Sequence, residues 1–158
     1  MKATVPDALG QLVAAVHELF QIEYLARTSP GEPHVVSELH ILMRPRFTRH
    51  TVSNEYDRRE QEIKRLGTSR IIPDIIVHVP ESPDENLLVV EVKLAGNYNY
   101  KSDVRKLSGM TEQKGQYAYA TGAHLVLNVP KLRVDRGHVY IDGALHPDLT
   151  AWFQGQFA

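Results

Sequence analysis

Between Leu87 and Leu94 the chain reads Leu-Leu-Val-Val-Glu-Val-Lys-Leu, an apolar run interrupted by two charges. So many β-branched and apolar residues in succession predict a strand. Side chains alternate along a strand, so Leu87, Val89, Glu91 and Lys93 share one face, and Leu88, Val90, Val92 and Leu94 share the other. Both faces are apolar over the first half, which predicts burial on both sides. A carboxylate and an ammonium are therefore set together at one end of a buried strand. Burying either alone is costly, so each needs a partner. A second β-branched run, Ile71 to Val79 (IIPDIIVHV), precedes it, and the turn formers Pro80 to Asn86 between the two predict a hairpin. In an antiparallel hairpin the start of one strand lies beside the end of the next, so Asp74 should face Glu91. Two carboxylates that close repel unless a proton or a cation is shared. Hard oxygen ligands of this kind select Mg2+, Mn2+ or Ca2+.

The elements that must position these residues follow from periodicity. Leu9, Leu12, Val13, Val16, Leu19 and Phe20 recur at helical spacing, with Asp7 as the expected cap and a first helix spanning about 7–27. Thr28 to Pro33 is a break made of turn formers. A second helix should follow, with Val35, Leu39 and Leu42 on its apolar stripe and Pro45 near its end. Thr51 to Tyr56 predicts a first strand ahead of the two already described. Lys101 to Ala120 has helical spacing, with Gly109 and Gly115 dividing it, and His124 to Val129 predicts a further strand. A hairpin around Asp135-Arg136-Gly137 and a short terminal element complete the tail at 130–158. The expected fold is a single α/β domain: a mixed sheet of four or more strands flanked by helices, in the order α-β-β-β-α-β, with its core over about 34–129.

The totals set bounds. With 158 residues the chain has the size of one domain. Its net charge of −1 gives no global attraction for nucleic acid, so any basic surface must be local. The absence of cysteine excludes disulfides, thiolate metal sites and cysteine nucleophiles, and fits a reducing cytoplasm. No apolar run approaches the roughly 20 residues that span a bilayer, so no membrane partner is expected. No basic region followed by a continuous apolar stretch opens the chain, so no signal peptide is expected. There is no Gly-rich phosphate loop, no G-x-S-x-G and no histidine pair at zinc spacing.

Pro73-Asp74 followed by Glu91-Val92-Lys93 at the end of the next apolar strand resembles the motif of the PD-(D/E)XK nuclease superfamily, whose restriction-endonuclease-like core has this order of elements. The segments Ser37-Glu38-Leu39-His40, Asn54-Glu55-Tyr56-Asp57 and Lys101 to Leu107 also resemble uncharacterised bacterial members. The resemblance covers about 35–129. It implies that Asp74, Glu91 and the backbone carbonyl of Val92 bind Mg2+, with Mn2+ able to substitute. It implies that Lys93 orients or deprotonates the attacking water, and that the first core helix adds an acid, for which Glu38 is the candidate. The implied activity is hydrolysis of phosphodiester bonds, with DNA the expected nucleic acid. The alternative is a nucleic-acid-binding or assembly module that keeps the fold without cutting. A duplex has two strands to cut, and symmetric dimers are common, so a homodimer is a further expectation.

Other signals have more than one reading. Ile41 to Arg70 carries eight Lys or Arg against four acids, among them Arg44, Arg46, Arg49, Arg58 and Arg59. These fit a phosphate-contacting surface and fit equally a solvated face with paired charges. Gln113 and Tyr117 resemble the QxxxY motif of RecB-like nucleases, which positions DNA, while the same spacing also describes an ordinary helix face.

Overall fold

A computed structural model describes residues 4–54, 64–66 and 69–158. The first apolar stripe forms α1 (Val5–Leu19) and buries Leu9, Leu12, Val13, Val16 and Leu19. Its cap is Thr4 and not Asp7: the Asp7 N–H donates to Thr4 Oγ1 at 3.2 Å. The reason is Pro6, which lacks an N–H and fits the first turn, where no donor is required. Asp7 is left in that first turn, where its charge complements the helix dipole. A short α2 (Glu23–Thr28) ends at Ser29, with φ of 44°. Next, α3 (Glu32–Met43) begins inside the expected break, because Pro33 sits in its first turn. A single 3-10 turn, Arg44–Arg46, follows and holds Pro45.

The remaining elements are β1 (Thr51–Asn54), β2 (Lys64–Leu66), β3 (Ser69–Ile71), β4 (Ile75–His78), β5 (Leu88–Leu94), α4 (Lys101–Thr111), β6 (Thr121–Asn128), β7 (Arg133–Ile141), β8 (Ala144–Leu145) and α5 (Pro147–Gly155). Positions 55 and 56 of the expected first strand lie outside the described residues. Six strands form one sheet in the order β1-β4-β5-β6-β7-β8. Only β5 and β6 run parallel; the other neighbours are antiparallel. A parallel pair needs a crossover, and α4 supplies it. The β2–β3 hairpin pairs separately. The protein is thus α/β, with a mixed six-stranded sheet flanked by helices.

Alternation along β5 divides the core into two layers. Leu88, Val90 and Val92 join Ile75, Val77, Leu125 and the stripes of α1 and α3 on one face, together with Phe153 of α5. Val89 joins Ile76, Leu107, Met110, Tyr119 and Tyr140 on the other, beneath α4. Both faces of β5 are therefore covered, as the apolar pattern requires. Among the described residues no helix is long and apolar enough to cross a membrane.

Several expected elements differ. The helix expected over about 7–27 is two, α1 and α2, and the strand expected over 71–79 is only Ile75–His78, since Pro73 has no N–H for a ladder and Ile71 pairs in β3. The helix over 101–120 stops at Thr111. At Gly115 an added Cβ would lie 3.1 Å from the Glu112 carbonyl oxygen, so a residue without one permits the tight turn there. That turn sends Tyr117 and Tyr119 into the core under α4. The expected hairpin at Asp135-Arg136-Gly137 is the interior of β7, and the turns lie at Val129–Leu132 and at Asp142-Gly143, where φ is 46° and 80°. Gly137 is there for packing: a Cβ on it would lie 3.0 Å from Phe153 Cδ2, so its absence lets α5 close onto the sheet.

Candidate active site

The site lies at the start of β4, where β5 runs on past its neighbour. The last register pair is Ile75 with Val90, and one further step brings Asp74 beside Glu91. Beyond that point the edge of β5 would expose N–H groups, and side chains take them up. Val92 N–H donates to Asp74 Oδ2 at 2.8 Å, and Leu94 N–H donates to Glu32 Oε1 at 3.3 Å. In return, Asp74 N–H donates to Glu91 Oε2 at 3.2 Å. Each carboxylate is thereby anchored through one oxygen to the other strand's backbone. A strand residue's N–H and C=O point to the same side, so the Val92 carbonyl faces the gap that Asp74 occupies.

Glu91 is completely buried, and its second oxygen, Oε1, has no hydrogen bond. Burial first, then the neighbouring Asp74 carboxylate, hold the Glu91 carboxyl well above the usual carboxylate range, and Lys106 offsets them only in part. The Lys106 ammonium is 2.9 Å from Oε1 and forms an ion pair with it, and the same nitrogen donates to the Ile72 carbonyl at 3.3 Å. Lys106 stands on α4, three residues after Asp103, so both face the sheet. Asp103 Oδ2 in turn lies 3.4 Å from the Lys93 ammonium and 3.1 Å from His124 Nε2. The α4 helix thus meets the Glu-x-Lys of β5 with opposite charges, Lys106 against Glu91 and Asp103 against Lys93. Burial alone would raise the Asp103 carboxyl. The His124 hydrogen bond, Lys93 and Lys106 outweigh it and hold the group below its ordinary value.

Outward from His124 the Tyr100 ring packs edge-on at 5.2 Å between centroids, and the Arg136 guanidinium sits 4.5 Å over Tyr100. His138 pairs with His124 across β6 and β7. Burial, then Arg136 and His124, push its pKa from 6.5 to about 4. The unfolded chain therefore binds more protons than the native state between these values. Stability should fall as pH drops through that window, by about 2 kcal/mol once partial exposure is discounted. Urea denaturation between pH 7 and 4 should show His138→Gln losing less stability than wild type. Parallel curves for the two proteins would contradict this.

Glu38 is placed away from the carboxylate pair. Tyr24 Oη donates to its Oε1 at 2.8 Å, and His34 Nε2 is 3.7 Å away. The acid of the first core helix that reaches β5 is Glu32, because α3 starts there and points its first turn at the strand end. Burial raises the Glu32 carboxyl, Lys93 lowers it and Asp74 raises it, which puts all three in electrostatic contact. Arg44 lies at the far end of α3, about 18 Å along the axis from Glu32 at 1.5 Å per residue. Arg46 is engaged with Glu18 and Gln11 of α1, and Arg49 is exposed beyond it. Arg58 and Arg59 lie outside the described residues. Gln113 and Tyr117 do not share a helix face. The Gln113 amide donates to the carbonyls of Thr111 and Tyr119 at 2.9 and 3.0 Å, and Tyr117 is buried in the core.

Sequence reasoning passed over Glu32, Asp103, Lys106 and His124. A signal existed for two of them: Asp103, Lys106 and Met110 recur at helical spacing beside the buried Leu107. For a metal, the donors on offer are hard oxygens, with Glu91 Oε1 buried and without a hydrogen bond, and these fit Mg2+ or Mn2+. Among the described residues no three His, Cys, Asp or Glu side chains gather into a ligand cluster, so an ion here would rest on two carboxylates, backbone and water. No protein-family model matches the chain, and no curated protein and no solved structure is significantly similar to it.

Proposed function

We propose that the protein is a Mg2+-dependent nuclease with the restriction-endonuclease-like core of the PD-(D/E)XK superfamily, acting on DNA. The observation that carries this reading is the reciprocal anchoring of Asp74 and Glu91, which converges two carboxylates, one of them completely buried, beside the Lys106 ammonium. An ordinary structural acid pair has no reason to be assembled in that way at a cost in repulsion and desolvation. Asp74, Glu91 and the Val92 carbonyl would hold Mg2+, with Mn2+ able to replace it. When bound, the ion acidifies water and offsets the charge that develops on a phosphoryl group. Lys93, whose ammonium is steadied by Asp103 at 3.4 Å, would orient the attacking water and offset the negative charge that develops as it attacks. Glu32 replaces Glu38 as the helix-borne acid in this scheme. A chain without cysteine is suited to work in a reducing cytoplasm.

One observation favours a second reading. The pairs Lys106–Glu91 and Lys93–Asp103 offset the buried charges without any ion, as they would in a nucleic-acid-binding or assembly module of the same fold. Cleavage of labelled single- and double-stranded DNA and RNA separates the two. Cutting is expected in Mg2+ and Mn2+, and it should stop with chelator. It should be weak in Ca2+, whose looser coordination positions water poorly. Asp74→Asn removes a charged ligand and should weaken Mn2+ binding about tenfold or more. An Asp74→Asn protein that cuts as wild type does would refute the assignment.

A further inference from the structure

Building on the reading of Asp74 and Glu91 as cation ligands, we propose that the Lys106 ammonium is a resident counter-ion of that pair. It holds the place of a divalent ion beside Glu91 Oε1 and swings aside when one binds. Three observations carry this. First, Lys106 Nζ is 2.9 Å from Oε1 of the completely buried Glu91, an ion pair between an ammonium and a carboxylate. The contact is thus one of charge, the kind an ion can replace. Second, Lys106 has other acceptors. Its Nζ donates to the Ile72 carbonyl at 3.3 Å, two residues before Asp74, and Asp103 stands one turn earlier on the same helix. Leaving Glu91 does not strand the ammonium. Third, a lysine is a point charge on a flexible four-carbon stem, and this side chain is one-fifth exposed, so it has room to move. An ammonium and a divalent ion cannot share one buried carboxylate oxygen, because like charges at contact repel strongly in a poorly solvated site.

The arrangement explains how a completely buried glutamate persists beside a second carboxylate before an ion arrives. It also predicts competition. Removing the ammonium should tighten ion binding while weakening the ion-free protein. The test is calorimetric titration of Mn2+ and Mg2+ into wild type and Lys106→Met at pH 8.5. Thermal melting in chelator is recorded alongside. Lys106→Met should bind Mn2+ about tenfold more tightly, since affinity in such sites follows ligand charge, and it should melt lower in chelator. Should that variant fail to fold, Lys106→Gln keeps the length and a neutral donor and is expected to shift affinity in the same direction. Wild type provides an independent readout. Acylation of Lys106, followed by mass spectrometry against the exposed Lys101, should quicken several-fold when Mg2+ frees the amine. Variants that bind the ions no more tightly than wild type, with no change in acylation, overturn the counter-ion and leave the cation site standing. A wild type that binds neither ion overturns both.

Discussion

Lys93→Ala is expected to lower cleavage by about 100-fold or more, the usual scale for losing one positioned proton-transfer or charge-stabilising group. Mn2+ binding should be largely retained, because the ligands proposed for the ion are Asp74, Glu91 and a backbone carbonyl. The basis is positional. Lys93 shares the Glu91 face of β5 and lies within the charge field of Glu32, and its ammonium is held 3.4 Å from Asp103 and not bonded to either ligand carboxylate. The measurement compares wild type and Lys93→Ala side by side, with nucleic-acid affinity taken in Ca2+ so that binding is read without turnover. Equal binding with no cutting by either protein, on any DNA or RNA substrate, would replace the nuclease with the binding-module reading. Equal cutting by both would remove Lys93 from the chemistry.

The second large effect concerns Asp103, which is nearly inaccessible and lies between two groups that can carry positive charge, Lys93 and His124. Asp103→Ala deletes their shared acceptor and leaves a largely buried ammonium and a fully buried imidazole facing each other. Truncating one member of a buried ionic cluster typically costs 3–5 kcal/mol. Since Lys93 retains some solvent access, about 3 kcal/mol is expected here, read from urea unfolding at pH 7. Replacing His124 as well should cost less than the sum of the two single changes, because the deleted groups are partners. A cost below about 1 kcal/mol, the range of exposed pairs, would mean that the cluster is solvated and contributes little.

Much of this site could be read before any coordinates. The alternation of Leu87 to Leu94 put Glu91 and Lys93 on one face of a strand covered on both sides, and the hairpin loop of Pro80 to Asn86 brought Asp74 to the matching end of its neighbour. These are local inferences: a period of two and a short turn carry them without knowledge of anything distant. The apolar stripes of α1 and α3 were legible for the same reason, as was the first half of the helix expected over 101–120, which is α4. Where local reading strayed, a distant partner was responsible. Gly137 looked like a turn residue until Phe153 packed against it, and Gln113 looked helical until Tyr117 and Tyr119 drew the chain into the core.

What the sequence by itself determined is therefore the set of strands and helices and the presence of charged groups where apolar ones were due. The tertiary structure alone decided which charges from the helices join the Asp74–Glu91 pair. Glu32 reaches β5 and Glu38 does not, because the start of α3 points at the strand end, and Glu38 lies six residues further on, about 9 Å up the helix axis. Lys106 and not Lys93 stands nearest Glu91, because α4 crosses over the sheet with Asp103 and Lys106 on its inner side. Spacing along the chain fixes neighbours within an element. Coulomb attraction between elements acts only after apolar burial has set their packing, and that packing depends on contacts as distant along the chain as that of His17 with Gln156, 139 residues apart.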